Sequence, residues 1–327
     1  MWESAYGLIP IFIGLTIAMG YDGLVGAVVV IVGIATGFAS AISNPFTVAI
    51  AQEIAEVPLF SGVGLRVIVW IVFTSLAIWY TMRYANKIKK DPEKSIVKGV
   101  KFPLMGEMSK DELMVSPFTA RHKLSVIIFI VTIATVIIGS MKLGWYLNEL
   151  SALFLIAMFV IGLINRMSFS EIASSFVEAS KEIIFGALII GISRAVLLIL
   201  QDGCIIDTIV YFLAEKVSNL SRYASAVGML IIQNIFNFFI PSGSGQATVT
   251  MPIMSNLADL VGLNRQVAVL AYQFGDGFSN LFWPTAIAVE CGIAGIPLDR
   301  WYKFITPLFG LMVAVEIIFM VISVAIY

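Results

Sequence analysis

The segment Pro241-Ser242-Gly243-Ser244-Gly245-Gln246-Ala247-Thr248 carries the most specific chemistry in this chain of 327 residues. Its two glycines let a backbone approach a ligand closely. Ser242, Ser244, Gln246 and Thr248 add neutral donors and acceptors. Between apolar helices, such a loop suits a small polar or anionic solute. It is not a phosphate-binding loop, because no Gly-Lys-Ser/Thr follows it. A second interruption, Ser43-Asn44-Pro45-Phe46-Thr47, ends a glycine-rich apolar run. Pro45 removes a backbone donor and clashes with the preceding turn, so a helix is expected to stop near Asn44. At membrane depth such a break is tolerated where it lines a cavity. Freed carbonyls there bind a cation, freed N–H groups bind a carboxylate, and Asn44 and Thr47 add side-chain ligands.

A third cluster, Tyr272-Gln273-Phe274-Gly275-Asp276-Gly277-Phe278-Ser279-Asn280, sets an acid and an amide in an apolar stretch. Ionisable groups in membrane segments are costly and are functional candidates. Asp276 is a candidate for binding a coupling cation, for carrying a proton, or for pairing with Arg265 or Arg194. Asn280 joins the candidate solute ligands. Arg194, in the middle of the apolar run Ile183–Leu200, needs an acid, a water cavity or an anionic solute; Asp202 and Asp207 lie near it in sequence.

These residues must be positioned by membrane helices. Hydrophobic residues make up 59% of the chain and charged ones 13%, against about 25% charged in soluble domains. Long apolar runs at Gly23–Ser43, Val67–Met82, Ser125–Met141, Leu150–Ile164, Ile183–Leu200 and Phe304–Tyr327 read as spans. The alternating ten-residue strands of an outer-membrane barrel are absent, so the fold class is all-α and polytopic. A net charge of −1 gives no support for nucleic acid as a partner. The lipid bilayer is the expected partner, in the inner (cell) membrane; a homodimer is left open. Ser168–Glu182 is amphipathic, either a surface helix or the wet end of the next span.

Arg83–Lys123 holds ten of the twenty Lys and Arg residues, five acids, and the single histidine, His122. The positive-inside rule makes it a cytoplasmic loop. The loop divides the chain into residues 1–82 and 124–327. Ser43–Thr47, then Glu56, then Arg66 in the first part echo Ser242–Gln246, Asp259 and Arg265 in the second. Broken segments at corresponding places point to two inverted repeats, with re-entrant hairpins at about 43–66 and 242–265. The first part has much less chain ahead of its break than the second, which implies that the first repeat is incomplete at its N-terminus.

At these residues the chain resembles the DcuC/YfcC-type carriers of the ion transporter superfamily, which take in C4-dicarboxylate carriers and basic amino acid antiporters. The resemblance rests on Asn44-Pro45-Phe46-Thr47 through Phe60-Ser61-Gly62, Gly203 through Asp207-Thr208-Ile209, Ser242–Gln246 with Ala258-Asp259-Leu260-Val261-Gly262-Leu263, and Gln273–Asn280. It implies two hairpin tips meeting at a solute site, with Asn44 and Thr47 on one tip and Ser242, Ser244 and Gln246 on the other. It also implies a chain that starts well inside the family's membrane region.

The expected function is secondary active transport of a small carboxylate-bearing solute, such as a C4-dicarboxylate or an amino acid. No cofactor is expected. Sodium or proton coupling, or exchange, stays open, although no membrane-embedded histidine offers a proton relay. A non-transporting remnant is the alternative. An intramembrane aspartyl protease is a weaker one, since Asp22 sits in a Tyr-Asp-Gly turn and no His-Glu-x-x-His occurs.

Overall fold

The computed structural model describes residues 2, 5–44, 46–100, 102, 119–143, 145 and 147–327. Some side chains inside helices between 136 and 214, that of Arg194 among them, lie outside the description, as do Pro45 and most of 101–118. The described residues form thirteen α-helices: α1 Leu8–Ala18, α2 Gly23–Ala39, α3 Val48–Ile54, α4 Val63–Lys90, α5 Ala120–Lys142, α6 Leu147–Ile164, α7 Phe169–Asp202, α8 Ile205–Ser218, α9 Arg222–Phe239, α10 Gly243–Leu260, α11 Arg265–Gly277, α12 Pro284–Ala294 and α13 Leu298–Ile326. No strand occurs among them. Two of these helices, α4 and α13, are long and apolar enough to cross a membrane on length and composition. The amphipathic stretch 168–182 is the start of the single helix α7 rather than a separate surface helix.

Contacts divide the chain into two compact units. One comprises Met1–Gly7 and Pro103–Ile184. In it α5 packs on α6, and Asn165 Nδ2 donates to Ser125 Oγ at 2.7 Å. The other comprises Leu8–Phe102 and Phe185–Tyr327 and holds both interruptions.

The centre of this second unit is α11, where every residue from Gln266 to Gly277 is buried. It packs on α2, α3, α9, α10 and α13. Two glycines make this possible. A methyl group on Gly275 would overlap the α9 backbone at Asn234, and one on Gly277 would overlap Ala39 of α2. The Gly275-Asp276-Gly277 triplet therefore carries an acid through close helix contacts.

Local chemistry sets the helix ends. Asp22 Oδ1 accepts from Val25 N at 3.1 Å and caps α2. Its other oxygen accepts from Tyr84 and Ser95, each at 2.6 Å, which ties the start of the charged loop to α2 and α4. Further into that loop, Asp91 lies 2.9 Å from Lys94, whose hydrogen bond holds the carboxyl below its usual range. At its far end α2 stops at Ala39, earlier than Pro45 requires. There Ser40 Oγ takes the Thr36 carbonyl and offers the backbone an alternative to another helical turn.

The expected hairpin over 242–265 forms differently. Gly243–Leu260 is one helix with Pro252 inside it. The fold-back lies ahead of it, at Ile240-Pro241-Ser242, between α9 and α10. Gln246 Nε2 donates to the Gln233 carbonyl at 2.9 Å and to Gln233 Oε1 at 2.7 Å, and Thr250 Oγ1 donates to Gln233 Oε1 at 3.0 Å. These bonds lay the two helices side by side. Pro241 breaks the ladder, while Gly243 and Gly245 sit in the first turn of α10, where glycine adopts helical angles at small cost. The first interruption, by contrast, has short α3 between two non-helical stretches.

Candidate functional site

Thr47, the N-cap residue of α3, is 2% exposed, and its hydroxyl has no partner among the described residues. It faces Gly243 at the start of α10. A Cβ on Gly243 would lie 2.6 Å from Thr47 Cγ2, 2.9 Å from Asp276 Oδ2 and 3.5 Å from the Tyr272 hydroxyl. Tyr272 donates to the Gly243 carbonyl at 2.6 Å. The two interruptions and α11 thus converge on one buried point, and Gly243 is the residue small enough to leave room for it.

Asp276 is 3% exposed, and its Oδ1 has no partner. Its backbone carbonyl accepts from Asn237 Nδ2 at 3.2 Å and from Asn280 Nδ2. Asn237 also donates to the Ser279 hydroxyl, which donates in turn to the Gly275 carbonyl. These bonds hold the 278–281 turn, in which α11 gives up its regular ladder ahead of α12.

Among the described residues, the buried oxygens without partners include Thr47 Oγ1, Asp276 Oδ1, Gln246 Oε1, Gln273 Oε1 and Asn237 Oδ1. The orientation of Gln273 follows from its neighbour: its amide nitrogen meets the Ala41 carbonyl at 2.7 Å, so its oxygen is the end left over. Buried polar groups without partners are uncommon and mark ligand positions or ordered ions. Thr47 and the Asp276 carboxyl border Gly243 together and offer oxygens to a cation or an ammonium group.

The remaining sequence candidates divide between this centre and elsewhere. Gln246 is fully buried, with its amide spent on α9. Asn280 is 8% exposed and braces the turn. Ser242, Ser244 and Thr248 lie on the exposed face of α10, and Thr248 Oγ1 is bonded to the Ser244 carbonyl at 2.8 Å. Asn44 accepts from Phe46 N at 2.9 Å. It lines a separate open groove of about 450 Å³ with Ile34, Gly37, Phe38, Ala41, Ser43 and Trp70. Of the readings open for Asp276, the pairing with Arg265 does not form. Arg265 instead bridges Asp259 and Glu56, at 2.8 and 2.7 Å. Arg194 has no described side chain. Sequence reading missed Gln233 and Asn237; the available signal was amides inside an otherwise apolar helix.

Comparison with known proteins follows this geometry. The chain matches the family model for the C4-dicarboxylate anaerobic carrier, DcuC, over residues 1–325. It is 36% identical over 325 residues to an Escherichia coli (strain K12) protein named "Putative basic amino acid antiporter YfcC". That alignment covers 95% of this chain and 64% of the relative. It is 33% identical over 328 residues to an uncharacterized protein of Haemophilus influenzae, covering 99% of this chain and 64% of that one. The chain therefore spans just under two thirds of the length of the curated relatives it matches. No solved structure matches it. The family match runs almost from end to end, and the helical, largely apolar build agrees with it: this chain belongs to the C4-dicarboxylate anaerobic carriers, a family of membrane transport proteins and not of enzymes.

Proposed function

We propose that this chain forms the solute-binding part of a secondary active carrier for a small carboxylate-bearing solute, spanning the inner membrane several times. The observation that carries this reading is the meeting of Thr47, Gly243 and Asp276. Two helix interruptions far apart in sequence face each other there around buried oxygens that lack partners. A dehydrated cation or the solute's own ammonium group would satisfy those oxygens. Oxygen ligands of this kind favour a hard ion such as sodium over a transition metal. Emptying and filling the site from alternate sides would couple the ion to the solute.

The repeat relation belongs to the same reading, in a changed register. Helix α2, a break with Ser43-Asn44, short α3, Glu56 at φ 55°, Pro58 and long α4 follow in order. Helix α11, a break with Ser279-Asn280, short α12, Gly295 at φ 65°, Pro297 and long α13 follow in the same order. This order supports pairing Ser43–Pro58 with Ser279–Pro297, and it leaves the α9–α10 hairpin as an element of the second repeat.

The test is uptake by proteoliposomes of radiolabelled succinate and L-arginine, chosen from the chemistry in the names of the family and the relative. Each is measured with an imposed sodium gradient, a proton gradient, or internal unlabelled solute. Saturable uptake of one of them is expected, reduced at least tenfold by Asp276→Asn and by Thr47→Val. Absence of uptake of both under all three conditions would overturn the reading.

A further inference from the structure

The oxygen-rich centre around Asp276 leaves open where a carboxylate would bind. Arg66 answers to that need. It lies in the first turn of α4 and is 3% exposed. Its one hydrogen bond among the described residues runs from Nη1 to the Ala41 carbonyl at 3.5 Å, the outer limit for such a bond. That carbonyl already accepts from Gln273 at 2.7 Å. No carboxylate lies within ion-pair distance of Arg66 among the described residues. The Tyr327 hydroxyl, which sits over Gly62 one turn earlier, is the neighbouring polar group. A guanidinium has five donors in a fixed fork, so nearly all of its bonding capacity here is unused.

Arg66 also has a place to use it. Ala41, whose carbonyl it touches, lines the groove of about 450 Å³ at the first interruption. Trp70, one helical turn beyond Arg66, lines the same groove, together with Ser43 and Asn44. The volume falls within the range of small-molecule sites. Ile34, Gly37, Phe38 and Ile42 give the groove apolar lining, and Ser43 and Asn44 give it polar lining. Arg66 is not itself a lining residue and adjoins the groove through the Ala41 carbonyl. A charge in apolar surroundings calls for an opposite charge, and a carboxylate matches a guanidinium with two parallel bonds.

We propose that Arg66 binds the carboxylate of the transported solute, beside Ala41 at the groove that Ala41, Asn44 and Trp70 line. This rests on the reading of the chain as a carrier of a carboxylate-bearing solute. The bland alternative is that Arg66 only neutralises the carbonyl end of α2. The two differ in what happens when the ligand's charge is removed.

The experiment is equilibrium binding to the purified full chain in nanodiscs. The probes are succinate and its diamide, and L-arginine and L-argininamide, against wild type, Arg66→Gln, Arg66→Lys and Gly37→Leu. Wild type is expected to bind succinate or L-arginine at least tenfold more tightly than the matching amide. Arg66→Gln should lose that preference, binding acid and amide alike, and Arg66→Lys should keep only part of it. Gly37 lines the groove and has open space where a Cβ would stand, so Gly37→Leu adds bulk there and should abolish binding. A full acid-over-amide preference in Arg66→Gln overturns the assignment of Arg66 and leaves the carrier reading standing. If Arg66→Gln does not fold, unchanged preference in Arg66→Lys together with full binding in Gly37→Leu overturns it equally. Failure of wild type to bind any of the probes overturns the carboxylate reading and this inference with it.

Discussion

Thr47 and Gly243, 196 positions apart in the chain, are in van der Waals contact, so close that a methyl group on Gly243 would stand 2.6 Å from Thr47 Cγ2. The contact ties the start of α3 to the start of α10, and the Asp276 carboxyl borders it. Gly243→Ala is expected to cost about 1–3 kcal/mol through overpacking and to cut uptake severely. Thr47→Ser removes the offending methyl and keeps the hydroxyl, so the double variant should recover stability and part of the flux. Thermal melts and uptake of the four proteins check this; full flux in Gly243→Ala alone would separate the contact from function.

Gln246 is structural as well as a candidate ligand. Truncation to alanine removes both of its bonds to Gln233. Leaving buried amides unpaired costs about 1–3 kcal/mol. Gln246→Ala should therefore lower the melting temperature. An unchanged melt together with weakened binding would make Gln246 a ligand and not a brace.

Glu316 of α13 is fully buried, and neither of its carboxyl oxygens has a partner among the described residues. Burying a polar group without hydrogen bonds costs about 1–3 kcal/mol on mutational scales. Glu316→Met, close in volume and free of that cost, is expected to raise the melting temperature. A lower melt would show that the carboxyl has a stabilising partner.

The charged loop after α4 is expected to be cytoplasmic. Ser95 is a poor reporter, because its hydroxyl is bonded to Asp22. Glu93 is exposed and serves better. In a background with Cys204 and Cys291 replaced by serine, Glu93→Cys should resist an impermeant thiol reagent in intact cells and react after permeabilisation. Rapid labelling of intact cells would invert the topology.

Much of the architecture was legible in the residues. Runs of apolar side chains long enough for membrane helices leave little choice of secondary structure, since lipid offers the backbone no partners. Pro45 and Pro241 marked the two interruptions, and Asp276 stood out as an acid in an apolar helix. The hairpin was harder to place. Gly243 and Gly245 look like a flexible loop in sequence, yet glycine in a first helical turn costs little, and the break settled on Pro241 instead.

Sequence alone determined the helical membrane character, the charged loop's composition and the two interruptions, because these depend on local hydropathy and backbone chemistry. The tertiary structure decided which atoms meet. Gly275 and Gly277 matter through the helices they admit, α9 and α2, which no local pattern identifies. Gln246 turned inward because Gln233 of the neighbouring helix offered both a carbonyl and an amide oxygen. Arg66, unremarkable in sequence as a residue near a helix start, became a buried cation beside a groove because α2 ends at Ala39 and brings the Ala41 carbonyl to it. Partners for buried polar groups come from segments distant in the chain, and only packing chooses among them.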